Sequence, residues 1–519
     1  MKRMKKFAAL LLSGVMTLAM AATTFAATTN PQPKNDATPN VTSDATTGTI
    51  TIDKEGSTYN LYKLFAVSRS TEYDKYDYTA TDLLKTADAT VTAKDVRDYT
   101  AAELQALIAK IDTKINETAA AASYTAVKGN TKTTVDLGYY LVEEASTTAG
   151  HVESASFLVT VPEVVNGAWN YDIEVKTKES TANVDKVILK NDKENKASSE
   201  DIGDTVSYKL SGDVPVYEEG TTGLTYYMTD TLSKGLTFQK DIVVKGAAED
   251  GTETVVAASS YTVAAKQDGK DVAVAALEAG NETTIKIDFT YADIKNYKKV
   301  NVYYSAELNR YAVLGNAGNP NEVNLTYTTN PANGETHTTD DVEVKTYTWG
   351  IAVNKTGDNN AKLAGATFTL KKGEATVASY TYGEGNVPTV TEGDAVTDAQ
   401  GRLYFPGLDE GTYTLTETAA PAGYSKLAKP ITIVITAEKN TKGEPTGTAA
   451  VTADGKTLTT VTEHEYTFFE VGVVNTKGFT LPGTGGIGTT IFTVAGIVLI
   501  AAAALMFAVY LRKSRKSAR

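Results

Sequence analysis

Along much of the chain, apolar and polar residues alternate one for one, as in Thr49-Ile50-Thr51-Ile52, Tyr59-Asn60-Leu61-Tyr62 and the run Tyr139 to Val142. Alternation sends successive side chains to opposite faces, so each run predicts a strand with one face buried. The pattern returns in Thr205 to Leu210, Thr284 to Phe289 and Val323 to Tyr327, and again in Ala366 to Leu370 and Thr412 to Glu417. Gly and Asn punctuate the intervals. Many short strands separated by turn residues predict an all-β chain of Ig-like β-sandwiches arranged in tandem as a rod. One stretch, Ala101 to Ile115, has apolar residues at helical spacing instead, predicting a helical insertion in the first domain.

Two apolar runs fit neither pattern. Phe7 to Ala22 follows Lys2, Arg3, Lys5 and Lys6 and precedes small residues, which predicts a secretory signal peptide over 1–26. Ile487 to Leu511 holds no charge and is followed by Arg512, Lys513, Arg515, Lys516 and Arg519. It is long enough to span a bilayer, with the basic end on the cytoplasmic side and everything upstream outside. Residues 27–47, rich in Thr, Pro, Asn and Asp, predict a flexible leader. Domain limits follow from a repeat: Val175-Lys176-Thr177 ends one segment and Val344-Lys345-Thr346 ends another. Domains are therefore expected at 48–178, 179–346 and 347–480, with the tail at 481–519.

Composition narrows the function. A net charge of -13 argues against nucleic acid as a partner, and a secreted chain with no cysteine has no disulfides to staple it. The three histidines, His151, His337 and His464, lie far apart, and neither a phosphate-binding loop nor a nucleophile elbow is present. No cofactor or metal is expected, and no conventional active site.

The residues Leu481-Pro482-Gly483-Thr484-Gly485, then the apolar span, then the basic tail, match in order the LPxTG sorting signal of Gram-positive surface proteins. That resemblance implies cleavage of the Thr484-Gly485 bond by a sortase cysteine and transfer of the threonine carbonyl to an amine, with peptidoglycan as the eventual anchor.

The last domain runs from Ile351-Ala352-Val353-Asn354-Lys355-Thr356 through Tyr413-Thr414-Leu415-Thr416-Glu417-Thr418-Ala419-Ala420-Pro421 to Val473-Val474-Asn475-Thr476. It resembles the collagen-adhesin B-type domains of Gram-positive surface proteins and pilins. The resemblance implies an internal isopeptide bond between Lys355 and Asn475, promoted by Glu417. Alternation independently points all three inward, since each shares a face with apolar residues of its strand. Burial would favour the neutral amine and the protonated carboxyl, turning the lysine into a nucleophile. The middle domain resembles the companion pilin domain, implying a bond from Lys186 to Asn321 with Asp230 as the acid; Lys190 shares a face with Lys186 and is a rival. In the first domain Lys54 follows a strand and Glu144 lines up with Glu417, but no terminal amide is evident beyond Asn166, and no bond is assumed.

Trp169 to Lys178 resembles the pilin motif of polymerising pilins, with Lys176-Thr177 where Tyr-Pro is common. Lys178 has no counterpart in the second copy of the repeat, where Tyr347 stands, whereas Lys176 matches Lys345; this favours Lys178 as the sortase acceptor and leaves Lys176 as competitor. The implied molecule is the major subunit of a covalent pilus, joined from Thr484 of one copy to Lys178 of the next, secreted, wall-anchored and supporting adhesion. Implied partners are pilin-specific class C and housekeeping sortases, identical subunits head to tail, ancillary pilins and host surface ligands. Other readings are a monomeric wall-anchored adhesin, which would not need Lys178, and a secreted wall enzyme, which would need a catalytic cleft.

Overall fold

The computed structural model describes residue 41 and residues 43–477 and 487–516, apart from 71–74, 148, 166–167, 178–179, 218–220, 332–333, 384–385 and 392–393. It forms two compact units. One comprises the chain up to Trp349 with residues 407–410 and 436–449; the other comprises Gly350–Pro406, Gly411–Ile435 and the chain from Ala450. Thus two segments that the sequence assigns to the third domain belong with the first unit. Ile202 N donates to Gly407 O at 2.8 Å, and Lys196 N to Glu444 Oε1 at 2.7 Å.

Within the first unit, residues 47–175 build one pair of sheets. The strand Thr47–Ile52 runs parallel to Asp172–Val175 and antiparallel to Thr133–Asp136. A five-stranded sheet is centred on Thr58–Arg69 and Gly138–Ser146. Both of its faces are covered. Leu61, Tyr140 and Val142 pack toward the small sheet, while Leu64, Tyr139 and Leu141 pack under the helices. The helical insertion holds three helices, Asp82–Ala87, Ala93–Asp98 and Ala101–Thr118, where sequence periodicity shows only the last. The two short ones carry too few turns to display a period. The second and third begin with capping boxes, Thr92 with Asp95 and Thr100 with Glu103, which satisfy amides that the first turn leaves unpaired.

Residues 184–347 form a two-sheet sandwich. One sheet has Val184–Lys190, Thr205–Asp213 and Lys299–Leu308 at its centre; the other has Val342–Tyr347, Asn319–Asn330, Tyr226–Leu232 and Thr283–Phe289. Strict alternation in Tyr226–Leu232 and Thr283–Phe289 turns every second side chain into the shared core.

In the second unit, Trp349–Thr356 lies parallel to Tyr466–Val474 in one sheet, and Thr367–Lys372 pairs with Gly411–Ala419 in the facing sheet. A helix, Ile487–Lys516, follows, and its stretch Thr490–Lys513 is long and apolar enough to cross a membrane. The expected signal peptide and leader before residue 41 lie outside the described residues.

Candidate functional site

Three lysines, Lys54, Lys186 and Lys355, are fully enclosed, each with relative exposure of 0%. Lysine is almost never buried without a partner. Each sits against a carboxylate from a different strand.

In the middle domain, Val184–Lys190 places Lys186 on the inner face of one sheet, while the facing sheet supplies Asp230 and Asn321 from adjacent strands, Asp230 opposite Val323 and Asn321 opposite Leu232. Lys186 Nζ donates to Asn321 Oδ1 at 2.6 Å and to Asp230 Oδ1. A fourth group, absent from the sequence reading, closes the ring. Tyr304 hydroxyl donates to Asp230 Oδ2 and accepts from Asn321 Nδ2 at 2.7 Å. The inward alternation of Val300, Val302 and Tyr304 was its only sequence signal. Burial pulls the Lys186 amine down to about 8, against the Asp230 charge, which acts to hold the proton on. Burial, with the Asp230 charge second, pushes Tyr304 well above the usual phenol range, so it stays protonated. The rival Lys190 is half-exposed; its Nζ donates to Ser199 O at 2.6 Å and pairs with Glu200 at 2.9 Å.

In the third domain, Lys355 and Asn475 come from neighbouring parallel strands: Lys355 is opposite Val473, and Asn475 lies two residues further on. Glu417 faces them from the other sheet. Asn475 Nδ2 donates to Glu417 Oε1 at 2.8 Å, Leu427 N donates to Glu417 Oε2 at 2.7 Å, and Lys355 Nζ is 4.0 Å from Glu417 Oε1. Burial lowers the Lys355 amine, opposed by the Glu417 charge. Asn475 Oδ1 is buried and has no hydrogen-bond partner among the described residues. Protonation of Glu417 and a turn of the amide would give that oxygen a donor and leave its carbon polarised toward the amine.

In the first domain, Lys54 Nζ pairs with Glu144 Oε2 at 2.8 Å and donates to Val152 O at 3.0 Å and Ser154 Oγ at 3.1 Å. No side-chain amide is among these contacts. Counting from the parallel register as in the third domain, the position two beyond the partner of Lys54 is Glu179, a carboxylate. It lies outside the described residues, as does Asn166. The pilin-motif residues that are described belong to this domain: Trp169 rests edge-on against Tyr76 with ring centroids 5.0 Å apart, and Ile173 and Val175 are buried. Lys176 is exposed. Lys178 and Leu481, Pro482, Gly483, Thr484 and Gly485 lie outside the described residues.

The two enclosed sets that include an asparagine, in the middle and third domains, can do one kind of chemistry. A neutral lysine nitrogen attacks the asparagine amide carbon, the carboxyl gives a proton to the leaving nitrogen and takes one back from the attacking nitrogen, and ammonia departs as a new amide joins the two side chains. Each site turns over once.

Three family models match parts of the chain. Residues 202–331 match the family described as Gram-positive pilin backbone subunit 2, Cna-B-like domain; residues 350–471 match the SpaA prealbumin-like fold domain; residues 473–518 match the LPXTG cell wall anchor motif. The chain is 26% identical over 385 residues to the trypsin-resistant surface T6 protein of Streptococcus pyogenes serotype M6, covering 61% of this chain and 65% of that one. It therefore spans just under two-thirds of that relative. It is 27% identical over 428 residues to fimbrial subunit type 1 of Actinomyces viscosus, covering 74% of each. Among solved structures, the T6 backbone pilin of Streptococcus pyogenes aligns at TM-score 0.49 and 18% identity, over 84% of this chain and 100% of that one. The full-length major pilin SpaD of Corynebacterium diphtheriae aligns at 0.45 and 20%, over 86% and 100%.

Proposed function

We propose that this chain, which carries the pilin-backbone, prealbumin-like and wall-anchor domains of Gram-positive pilins, is the repeating subunit of a covalent pilus shaft. The observation that carries this reading is the enclosure of a lysine, an acid and an asparagine together in both the middle and third domains, within a chain that ends in a wall-sorting motif. It is a structural protein, and its only chemistry on itself is amide formation: Lys186 to Asn321 with Asp230 and Lys355 to Asn475 with Glu417, one ammonia lost at each.

Assembly uses a second reaction. A pilin-specific sortase cysteine attacks the Thr484 carbonyl, releasing Gly485 and the membrane-spanning tail. The resulting thioester is attacked by the Lys178 amine of another copy, which yields an amide and returns the free thiol. Donor and acceptor are different surfaces of the same subunit, so the contact is head to tail and the product is an open fibre. A housekeeping sortase would transfer the last subunit to peptidoglycan, with ancillary pilins and host ligands engaging the finished fibre.

Mass spectrometry of peptides from native cell wall tests this. The expected product joins the peptide ending in Thr484 to the one containing Lys178, and boiling-resistant ladders should vanish in Lys178→Ala. Ladders that persist through Lys176 would move the joint by two residues. An absence of ladders from the unaltered chain would leave a monomeric wall-anchored adhesin.

A further inference from the structure

The Lys54–Glu144 pair is as enclosed as the two triads, yet among the described residues it contacts no side-chain amide; what it holds is a strap. Gly150–Ser154 lies between the strands Gly138–Ser146 and Phe157–Val161 of the first domain, but Val152 is packed in the hydrophobic core of the middle domain. The strap is gripped from both sides. From the first domain, Lys54 Nζ donates to Val152 O and Ser154 Oγ, and Glu144 Oε2 accepts from Ser154 N at 2.6 Å. From the middle domain, Thr329 O accepts from Glu153 N at 2.8 Å, and the Tyr327 hydroxyl donates to Gly150 O.

The same groups reach the chain on either side of the acceptor position. Val152 N donates to Ser180 O at 2.8 Å. Asp53, the neighbour of Lys54, accepts from Thr177 N at 2.6 Å, and its own N–H donates to Val175 O at 3.0 Å. Residues 177 and 180 are thus tied to the two edges of one hub. The second carboxylate oxygen, Glu144 Oε1, is buried and has no hydrogen-bond partner among the described residues. A buried ion pair adds little net stability, because desolvation offsets the attraction, and its place against the strap argues for a role in placement.

We propose that Lys54 and Glu144 are positioning residues for sortase transfer: they hold the strap and so fix the chain at Thr177 and Ser180, on both sides of the acceptor lysine. This rests on reading Lys178 as the acceptor. The chemical reason is reach: a nucleophile displaced by about 1 Å from its line of attack can lose about a hundredfold in rate. Removing one partner leaves the other as an uncompensated buried charge, which loosens whatever it was holding.

The test uses cells displaying the full chain with its sortase, and exchange measurements on the protein purified from them. In Glu144→Gln and in Lys54→Met, the amides of Val152, Glu153 and Ser154 should exchange at least about tenfold faster, as for local opening. Ladder formation should fall at least about tenfold while the amount of monomer on the surface and the two ammonia losses stay unchanged. The double variant should recover part of both losses, since neither charge is then left alone. Asp53→Ala, an exposed change that leaves the core intact, should slow ladder formation with normal strap exchange. The proposal is overturned if both single variants polymerise at the normal rate, if they polymerise slowly with unchanged strap exchange, or if Asp53→Ala is neutral. If Lys178→Ala still forms ladders, the acceptor assignment falls, and the strap exchange separately decides whether the pair holds the strap.

Discussion

Replacing Asp230 by alanine separates two accounts of how the middle-domain bond forms. At about 8, the Lys186 amine is neutral in roughly one molecule in ten at pH 7, against about one in three thousand at the ordinary lysine value. Burial, net of the opposing charges, therefore supplies about a 300-fold gain in nucleophile. Asp230 works against that gain, because its charge holds the proton on. If a neutral amine were all the reaction needed, Asp230→Ala would react as fast or faster. If the carboxyl must polarise Asn321 and hand a proton to the departing nitrogen, the same change should slow the reaction by about 10²–10⁴-fold. The second outcome is expected, since Asp230 is wired through Tyr304 to the amide nitrogen that must leave. Intact mass of the purified variant reads it directly: one ammonia missing instead of two. The proposed bond would close a loop of 135 residues, which in the chain-entropy treatment of cross-links is worth about 5 kcal/mol, so the variant should also unfold at markedly lower denaturant. A variant that has lost both ammonias would refute the reasoning.

Three more outcomes follow from the same geometry. Tyr304→Phe keeps the ring but removes the relay between Asp230 and Asn321, and should slow the middle-domain bond about tenfold without abolishing it, followed by mass against time after refolding. Glu417→Gln should leave Lys355 and Asn475 unjoined while the middle-domain bond forms normally; peptide mapping checks this, and a third-domain cross-link in that variant would remove Glu417 from its role. In Asn321→Ala the Lys186 amine stays unreacted with its folded value below its unfolded one, so the unfolded state binds the extra proton between about pH 8 and the ordinary lysine value of about 10.5. Its stability should rise with pH across that window and fall on acidification through it, as read from urea midpoints against Lys186→Met/Asn321→Ala, in which the trend should be absent.

The alternation in Tyr226–Leu232, Asn319–Asn330 and Gly411–Ala419 made both acids and Asn321 legible as inward-facing polar residues, because a period of two leaves each side chain only two directions. What alternation does not encode is which sheet a strand joins. Tyr304 reaches Asp230 and Asn321 only because Lys299–Leu308 lies in the sheet facing theirs. The choice between Lys186 and Lys190 is open in the sequence for a related reason: four residues along a strand, both share a face, and what separates them is that Lys190, at the last position of the strand, has its amine on Ser199 O and Glu200. The two short helices of the insertion and the strap from Gly150 to Ser154 escaped as well. The strap's only apolar anchor, Val152, belongs to a core formed by residues far along the chain.

The parallel sheet that closes the first domain at Val175 has a mechanical consequence. If subunits are joined at Lys178 and Thr484, as proposed, tension would enter each copy after that sheet and leave at the sorting motif, so the first domain, which precedes Lys178 in the chain, would carry none of it. Along the line, 135 residue steps lie inside the Lys186–Asn321 closure and, by residue number, 120 inside Lys355–Asn475. Only about 50 of the steps between the two joints can then straighten, about 170 Å at full extension where an unclosed chain would give about 1,000 Å. A fibre of such links would behave as a nearly inextensible cable, whose first domains could be shed or unfolded without lengthening it.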